Sequence, residues 1–218
     1  FAPASVGNVA VGFDILGHTV AALGDKVRAT RRAEPGVAIR AITGTVENLP
    51  LAAEKNTAGM AVLAMCRELS LPYGFDLDVE KGIPLGSGLG GSAASAVAGI
   101  VAATALVDEP LDRTELLKFA MQGEAVASGS VHVDNIAPSL YGGLVLTVGI
   151  DNPFVKQIPV PDTIRCVLVH PHMVLPTREA RAILSKSVPL SDVIWQQANL
   201  AGFLAGCFTS DIALTRES

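Results

Sequence analysis

Residues 84–95 have the sequence Pro84-Leu85-Gly86-Ser87-Gly88-Leu89-Gly90-Gly91-Ser92-Ala93-Ala94-Ser95, and this stretch decides how the rest of the chain is interpreted. Four of the six residues from 86 to 91 are glycines, which adopt positive φ angles and let a ligand approach the backbone closely. The Ala- and Ser-rich run that follows predicts a helix from about Gly91 to Leu106, whose free N–H groups point back into the loop. The stretch therefore indicates an anion site suited to phosphate groups. A helix-capping turn that binds nothing is the alternative, although a cap needs fewer glycines.

Two familiar phosphate-binding patterns fit this loop poorly. The Walker pattern ends in GK[ST], and no lysine follows these glycines. Gly86, Gly88 and Gly91 match GxGxxG, and Asp108 stands near the distance of the acid that binds ribose in dinucleotide folds. In such folds, however, the first strand runs directly into the first glycine, and here Lys81-Gly82-Ile83-Pro84 intervenes. The dinucleotide interpretation is not favoured.

Composition limits the classes of protein to consider. The chain has 218 residues, of which 50% are hydrophobic and 17% charged, so it is long and apolar enough for one large globular domain or two small ones. A net charge of −5 without a basic tract argues against nucleic-acid binding. The three cysteines are odd in number and widely spaced, which is typical of reduced thiols rather than of a disulfide framework.

Nothing in the sequence favours a membrane protein. The chain begins with Phe1, and no signal-peptide pattern is visible. The stretch Ile83–Val107 lacks charged side chains, but its small and polar beginning favours a buried helix over a membrane span. We therefore expect a cytoplasmic protein that binds neither nucleic acid nor membrane.

Periodicity predicts a mixture of strands and helices. Strands are expected at Lys26–Arg31, Val37–Ile42, Phe75–Glu80, Leu144–Ile150 and Arg165–His170. Helices are expected at Lys55–Leu69, Thr114–Ser128 with Asp112 as its N-cap, Thr177–Ser185 and Leu190–Phe208. Residues 212–218 show no clear element. Because no βαβ unit repeats, the pattern predicts an α+β fold rather than a doubly wound sheet.

Two groups of polar residues interrupt the apolar pattern. Glu124 shares one face of its predicted helix with Leu117 and Met121, so its carboxylate either lies at the rim or is held by a cation. If a nucleotide phosphate lies nearby, Mg²⁺ is the natural cation. His132 and Asp134 project to the same side of an extended chain and either bind an amine or hydroxyl or form a structural turn.

Three further positions leave a functional and a structural interpretation open. Thr177 can cap a helix on which Arg181 either clamps a carboxylate or pairs with solvent and a neighbouring acid. Asn8 and Asp14 lie among small residues and, taken alone, need be nothing more than turn formers. The pair in His170-Pro171-His172 is compatible with a metal site, but it lacks further ligands, and a strand end is the favoured interpretation.

Taken together, these segments resemble the GHMP kinase superfamily, and within it the homoserine kinases, over essentially the whole chain. Four ordered motifs carry the resemblance: residues 84–95; Ala2-Pro3-Ala4-Ser5 with Asn8 and Gly12-Phe13-Asp14; Ser128 to Asn135 followed by Ala137-Pro138 and Gly142-Gly143; and Pro176-Thr177 with Arg181.

The resemblance implies a GHMP kinase fold. Residues 1–140 would form a two-layer, ATP-binding α+β domain with a left-handed βαβ unit, and residues 141–218 the beginning of a ferredoxin-like α+β domain. Members of the family are longer, and their C-terminal part carries a third glycine-rich motif and another substrate-binding arginine. Because neither is found here, we expect a C-terminally truncated member.

The resemblance also implies an activity and a set of site residues. The reaction would transfer the γ-phosphoryl group of ATP to the hydroxyl of L-homoserine, giving O-phospho-L-homoserine for threonine biosynthesis, with Mg²⁺ as cofactor. The implied ATP-binding residues are Asn56, at the adenine, and Pro84, Leu85, Gly86, Ser87, Gly88, Leu89, Gly90, Gly91, Ser92, Ala93 and Ser95. Ser92 and Glu124 would hold Mg²⁺. The implied homoserine-binding residues are Asn8 at the hydroxyl, Asp14 and Asp134 at the ammonium, His132 and Thr177 along the pocket, and Arg181 at the carboxylate.

Some functional questions stay open at this point. Phosphoryl transfer depends mainly on positioning, so a general base is not required, and homoserine kinases are thought to act without one. Homodimerisation is common in the family and is an expectation here. The alternatives are a related kinase for mevalonate or a sugar, against which Arg181 and the two acids argue, or a non-catalytic nucleotide or metabolite sensor. A sensor would have lost the Mg²⁺ ligands, but Ser92 and Glu124 are both present.

Overall fold

The structure is a computed structural model that describes residues 1–9, 11–128, 131–149, 151–169 and 177–218, with the backbone alone at residues 22, 128 and 177–179. The strands are β1 (Ala2–Gly7), β2 (Leu16–Arg32), β3 (Gly36–Gly44), β4 (Gly74–Lys81), β5 (Leu144–Val148) and β6 (Phe154–Ile158). The α-helices are α1 (Thr57–Glu68), α2 (Gly91–Thr104), α3 (Arg113–Ser128), α4 (Val133–Tyr141), α5 (Thr177–Ala182), α6 (Leu190–Thr209) and α7 (Ile212–Glu217), and a 3₁₀ turn at Ala53–Lys55 precedes α1.

The strands form one mixed sheet built around the long strand β2. The order is β3-β4-β2-β5-β6, and β1 also pairs with β2. Strand β2 is 17 residues long, and its first half pairs with β1 and β5 while its second half pairs with β4. The parallel pair β3 and β4 is joined through α1 in a βαβ unit, whereas the other pairs are antiparallel. The α+β prediction is therefore confirmed.

Helix α2 lies in the interior, between the sheet and helices α1 and α3. Its small side chains are buried from Ala93 to Ile100, and a Cβ atom at Gly99 would already lie 3.0 Å from the Ala58 side chain of α1. Small residues thus allow these helices to pack closely, and this buried packing accounts for the absence of charges in the stretch Ile83–Val107. In the described part of the chain, no helix combines the length and the apolar character needed to cross a membrane.

Most of the predicted elements are confirmed. The strands at 37–42 and 75–80 and the helices at 55–69, 91–106, 114–128, 177–185 and 190–208 correspond to structural elements, with ends that differ by a few residues. The strand at 26–31 is the second half of β2, which begins much earlier, at Leu16. The expected strand at 144–150 ends at Val148, and Ile150 lies outside the described residues. Asp112 caps α3 as predicted, because its Oδ1 accepts from Thr114 N and Glu115 N at 2.8 and 2.9 Å.

Two local predictions are wrong. His132 and Asp134 do not lie in an extended chain, because Asp134 is in the first turn of α4 and His132 is its N-cap. Residues 165–169 form no strand in the described structure, and Val167 and Val169 are 83% and 84% exposed. The apolar run resembles a strand, but a strand needs a hydrogen-bonding partner, and no described strand pairs with it. His170 lies outside the described residues.

Other elements have no counterpart in the predictions. Strand β1 and the first half of β2 consist largely of Ala, Gly and polar residues, which carry weak strand patterns. Strand β6 has the sequence Phe-Val-Lys-Gln-Ile and is only five residues long, too short for a clear alternation. The final residues form α7, whose N-cap Asp211 accepts from Leu214 N at 3.0 Å.

Candidate functional site

The glycine loop, residues 84–90, connects the end of β4 to the start of α2. Three of its glycines adopt positive φ angles, namely Gly86 at 66°, Gly88 at 72° and Gly90 at 62°. Gly90 is the N-cap of α2, and a Cβ atom there would overlap the Ser5 hydroxyl. Ser5 N donates to Leu89 O at 3.1 Å, which fixes the loop against β1. The loop therefore holds the N-terminus of α2 open toward the space in front of it, the arrangement expected of a phosphate site.

A cavity of about 570 Å³ lies over this loop. Its lining brings together three of the motifs that carried the resemblance, which are far apart in the sequence, and adds Arg181 from the fourth. The predicted residues that line it are Asn8, Asp14, Pro84, Leu85, Gly86, Ser87, Gly88, Leu89, Gly90, Gly91, Ser92, Glu124, His132, Asp134 and Arg181. Four of them, Asp14, His132, Asp134 and Arg181, also line a second cavity of about 880 Å³ and thus stand between the two spaces.

Ser92 and Glu124 meet beside the start of α2. The Ser92 hydroxyl donates to Glu124 Oε1 at 2.9 Å, and Glu124 is only 3% exposed. Burial raises the pKa of the Glu124 carboxyl to about 7, against the opposing effects of the Ser92 hydrogen bond and the Lys81 charge. Among the described residues, no donor reaches Glu124 Oε2. A buried carboxylate oxygen next to a hydroxyl is an oxygen donor set that suits a hard divalent cation.

Asp14, His132 and Asp134 form the polar end of the cavity, with one potential ligand atom from each lying within 4.8 Å of the others. Arg181 donates to both oxygens of Asp14, at 2.9 and 2.5 Å, and its Nη2 lies 3.5 Å from His132 Nδ1. The hydrogen bond to Asp14 raises the pKa of Arg181, so the guanidinium stays charged. Burial, and then the charge of Asp14, raise the pKa of Asp134.

Backbone turns at Asn8 and Asp14 position this group. Both residues adopt left-handed backbone conformations, with φ angles of 72° and 61°, and Asn8 Oδ1 accepts from Asp14 N at 3.0 Å. The turn interpretation of both residues is therefore confirmed. Gly7 precedes the turn, and a Cβ atom there would overlap the Asp134 carboxylate. The absence of a side chain at Gly7 thus leaves the space that the buried Asp134 carboxylate occupies.

Some predicted site residues lie elsewhere. Asn56 caps α1, where its Oδ1 accepts from Ala58 N and Gly59 N at 3.1 and 3.2 Å and its amide donates to Pro50 O at 3.0 Å. Ala93 and Ser95 are buried in α2 and do not line either cavity. Thr177 begins α5 as predicted, but its side chain lies outside the description, as do Gly129, Ser130 and residues 170–176.

Sequence reasoning missed three residues at the site. Asn135 and Lys81 line the cavity over the loop, and Asp25 is fully buried against Lys81. For Lys81 a pattern was available: residues 75, 77 and 79 face the core, and the same alternation places residue 81 on the buried face. Asn135 and Asp25 had no such pattern, because their partners come from distant segments.

Comparison with known proteins gives a consistent result. A family model described as "GHMP kinases N terminal domain" matches residues 56–143. A homoserine kinase from Xylella fastidiosa strain M12 is 52% identical over 218 residues, which are 99% of this chain, and one from Chlorobium phaeobacteroides strain DSM 266 is 42% identical over 98% of it. The chain spans 66% of the length of the first relative and 70% of the second.

Solved structures show the same relationship. The crystal structure of a homoserine kinase from Cytophaga hutchinsonii has a TM-score of 0.90 and 42% identity, covering 98% of this chain and 68% of its own. An L. major mevalonate kinase, at 14% identity and a TM-score of 0.65 over 98% of this chain and 70% of its own, shares the fold alone.

Proposed function

The chain belongs to the homoserine kinase family of GHMP kinases, and we propose that the protein transfers the γ-phosphoryl group of ATP to the hydroxyl of L-homoserine. The product is O-phospho-L-homoserine, which serves threonine biosynthesis. The observation that carries the proposal is the group formed by Asp14, His132, Asp134 and Arg181 beside the glycine loop. It offers two carboxylates and one guanidinium, the complement of the ammonium and carboxylate of an amino acid.

The glycine loop binds the phosphates of ATP. Its positive-φ glycines expose backbone N–H groups without side-chain obstruction, and the N-terminus of α2 adds its free N–H groups and positive dipole end. The residues in this role are those of the loop that line the cavity, Pro84 to Ser92. Asn56 is expected at the adenine by resemblance, whereas its observed contacts support a capping role.

Ser92 and Glu124 fit a magnesium ion. Mg²⁺ prefers one or two carboxylates together with phosphate oxygens, and Glu124 Oε2 is buried beside the loop without a protein donor in the described structure. The ion supplies charge neutralisation for the phosphates when it is bound. Ser92, which donates to Glu124, orients the carboxylate for that contact.

The polar end of the cavity selects the acceptor. Asp134 and Asp14 receive the ammonium group of homoserine, and Arg181 receives its carboxylate. His132 lines the pocket, and Thr177 is expected there by resemblance. Asp134 is buried and its pKa is raised, so a nearby ammonium would favour its charged form. Mevalonate and sugars carry no ammonium, so neither would supply a cation to the buried Asp134 carboxylate.

Positioning accounts for the chemistry. The loop and the acid–arginine group line one cavity, so a bound hydroxyl and a bound γ-phosphate can lie next to each other there. Asn8 lines the same cavity and is expected to contact the acceptor hydroxyl. Phosphoryl transfer needs little covalent help from the protein, so no residue of the group has to act as a strong general base.

The test is ADP release by the complete gene product with Mg·ATP and L-homoserine, mevalonate, galactose or no acceptor. Two truncated acceptors sharpen it, because 4-hydroxybutanoate lacks the ammonium and 3-amino-1-propanol lacks the carboxylate. We expect turnover with homoserine and at least tenfold lower kcat/KM with either analogue, a loss of about 1.4 kcal/mol or more in transition-state binding. Phosphorus NMR identifies the product.

Each outcome of this test is informative. Turnover with mevalonate or galactose would overturn the amino-acid pocket while keeping the nucleotide site. Equal turnover with 4-hydroxybutanoate would remove Asp14 and Asp134 from substrate recognition. ATP binding without turnover on any acceptor would replace the kinase proposal by a sensor.

Three further proposals concern the cellular location, the oligomeric state and the domain division of the protein. A cytoplasmic location is supported by the three free cysteine thiols, and cell fractionation with an antibody tests it. A homodimer is expected by resemblance, and sedimentation velocity of the complete gene product would reject it by giving a monomer. A division into residues 1–140 and 141–218 is supported by the small separate cluster of Leu144, Ile158 and Cys207, and limited proteolysis tests the boundary.

A further inference from the structure

A buried charged cluster lies behind the glycine loop, made of Asp25 in β2, Lys81 at the end of β4 and Ser95 in α2. All three residues are at most 4% exposed. Lys81 Nζ forms an ion pair with Asp25 Oδ2 and donates to Ser95 Oγ at 2.7 Å, and Ser95 Oγ donates to the same Asp25 oxygen at 2.6 Å. Each side chain of the Asp25–Lys81–Ser95 cluster thus contacts the other two.

The cluster also holds the backbone on both sides of the loop. Before the loop, Asp25 Oδ1 accepts from Gly82 N at 3.0 Å and from Ile83 N at 3.2 Å. After the loop, Lys81 Nζ donates to Gly91 O at 2.8 Å in the first turn of α2. The two ends of the loop are therefore tied to one ion pair, and Lys81 also lines the cavity over the loop.

A buried ion pair needs an explanation other than stability. Taking two charges out of water costs as much as their attraction returns, so an apolar pair of similar volume would stabilise the fold equally well. The directional bonds to Gly82, Ile83 and Gly91 are what an apolar pair could not provide. They fix the path of the chain into and out of the loop.

We propose that Asp25 and Lys81 are positioning residues for nucleotide binding, which hold the glycine loop and the start of α2 in the geometry that receives the phosphates. This inference rests on the proposed function, because it takes ATP as the ligand of the loop. The two residues act on ATP through the loop backbone, and their substitution should change nucleotide affinity more than homoserine affinity.

The same two strands contain a matched control. Lys26 follows Asp25 and Glu80 precedes Lys81, and these neighbours form an ion pair at 2.9 Å. Their side chains are 62% and 57% exposed, on the opposite face of the sheet from the loop cluster. The control pair thus has the same charges and the same strands but no contact with the loop.

The experiment measures ATP affinity by calorimetry and steady-state KM values in the complete gene product. Asp25→Asn and Lys81→Met should each weaken ATP binding at least tenfold, with the KM for homoserine changed by less than about threefold. Ser95→Ala, which removes one hydroxyl and keeps the ion pair, should weaken ATP binding about threefold. Lys26→Met and Glu80→Gln should leave both constants within about twofold of wild type.

Further variants keep the test decisive if a single substitution unfolds the protein. Asp25→Asn/Lys81→Met removes both charges and leaves no unpaired one, so it should fold while still binding ATP at least tenfold more weakly. Ser95→Ala supplies a second folded variant. The proposal would be overturned if the double variant and Ser95→Ala both bound ATP within twofold of the wild-type affinity. An equal loss of ATP and homoserine affinity would also overturn it.

The readout separates this inference from the proposed function. A wild-type protein that binds ATP but does not phosphorylate homoserine refutes the proposed function, while the ATP affinities of the variants still decide the role of the cluster. A wild-type protein that does not bind ATP refutes both.

Discussion

Replacing Glu124 by glutamine should make the metal-free protein more stable at pH 8 while abolishing its Mg²⁺-dependent activity. Burial raises the pKa of this carboxyl from 4.5 to about 7. At ~1.4 kcal/mol for each pKa unit, this difference corresponds to about 3 kcal/mol. Ionisation of the carboxyl lowers the free energy of unfolding by this amount. Glutamine keeps an acceptor for the Ser92 hydroxyl and never ionises.

The direction of the pH dependence follows from proton binding. Between pH 4.5 and about 7 the folded carboxyl holds a proton that the unfolded carboxyl has released, so the free energy of unfolding falls as the pH rises through this window. The glutamine variant lacks this contribution. It should exceed wild type by about 1 kcal/mol at pH 5 and by about 3 kcal/mol at pH 8. The unpaired Oε2 position adds nothing to this difference in stability, since the protonated acid of the wild type and the amide of the variant both place a donor there.

Urea unfolding followed by circular dichroism, at pH 5 and pH 8 in the presence of EDTA, measures both differences. Glu109→Gln is the control, because Glu109 is exposed on the loop between α2 and α3 and should show no pH-dependent gain. Adding Mg·ATP at pH 8 should raise the wild-type midpoint more than that of the Glu124 variant, since only the carboxylate provides a charged ligand. A stability difference that is the same at both pH values would refute the reasoning about burial.

Three further predictions concern other parts of the site. Arg181→Lys removes the paired contact to Asp14 and should raise the KM for homoserine by a factor equivalent to about 2 kcal/mol, with ATP affinity unchanged, as steady-state kinetics would show. Gly90→Ala should destabilise the protein by more than about 2 kcal/mol in urea, because a Cβ atom meets Ser5, whereas Gly88→Ala has open space and should cost about 1 kcal/mol. Asn56→Ala should lose about 1 kcal/mol of stability through the missing cap, and Asn56→Asp, which keeps the acceptor, should lose less in the same assay.

The parts of the fold that sequence could predict are those determined by local patterns. The glycine loop, the cap at Asp112 and the strict alternation of β4 each involve residues close together in the chain. Such features need no knowledge of the tertiary structure. Their prediction was accurate to within a few residues.

The parts of the fold that the sequence could not predict depend on partners from distant segments. The first half of β2 is a strand because β1 and β5 pair with it, and its own residues from 16 to 25 carry no clear alternation. Conversely, residues 165–169 have a strand-like composition without a described partner. A segment forms a strand only where another strand pairs with it, so the sequence of one segment alone does not determine whether it becomes a strand.

The same distinction explains which site residues could be identified. Asp14, Asp134 and Arg181 were named through the resemblance, because each residue alone has an ordinary structural explanation. In the structure they become one electrostatic unit, since Arg181 donates to Asp14, and burial together with the charge of Asp14 raises the pKa of Asp134. The effect of substituting any one of them therefore includes the partners that it leaves unpaired. The contribution of each residue to homoserine binding has to be taken from double-mutant cycles, because losses measured one residue at a time will not add.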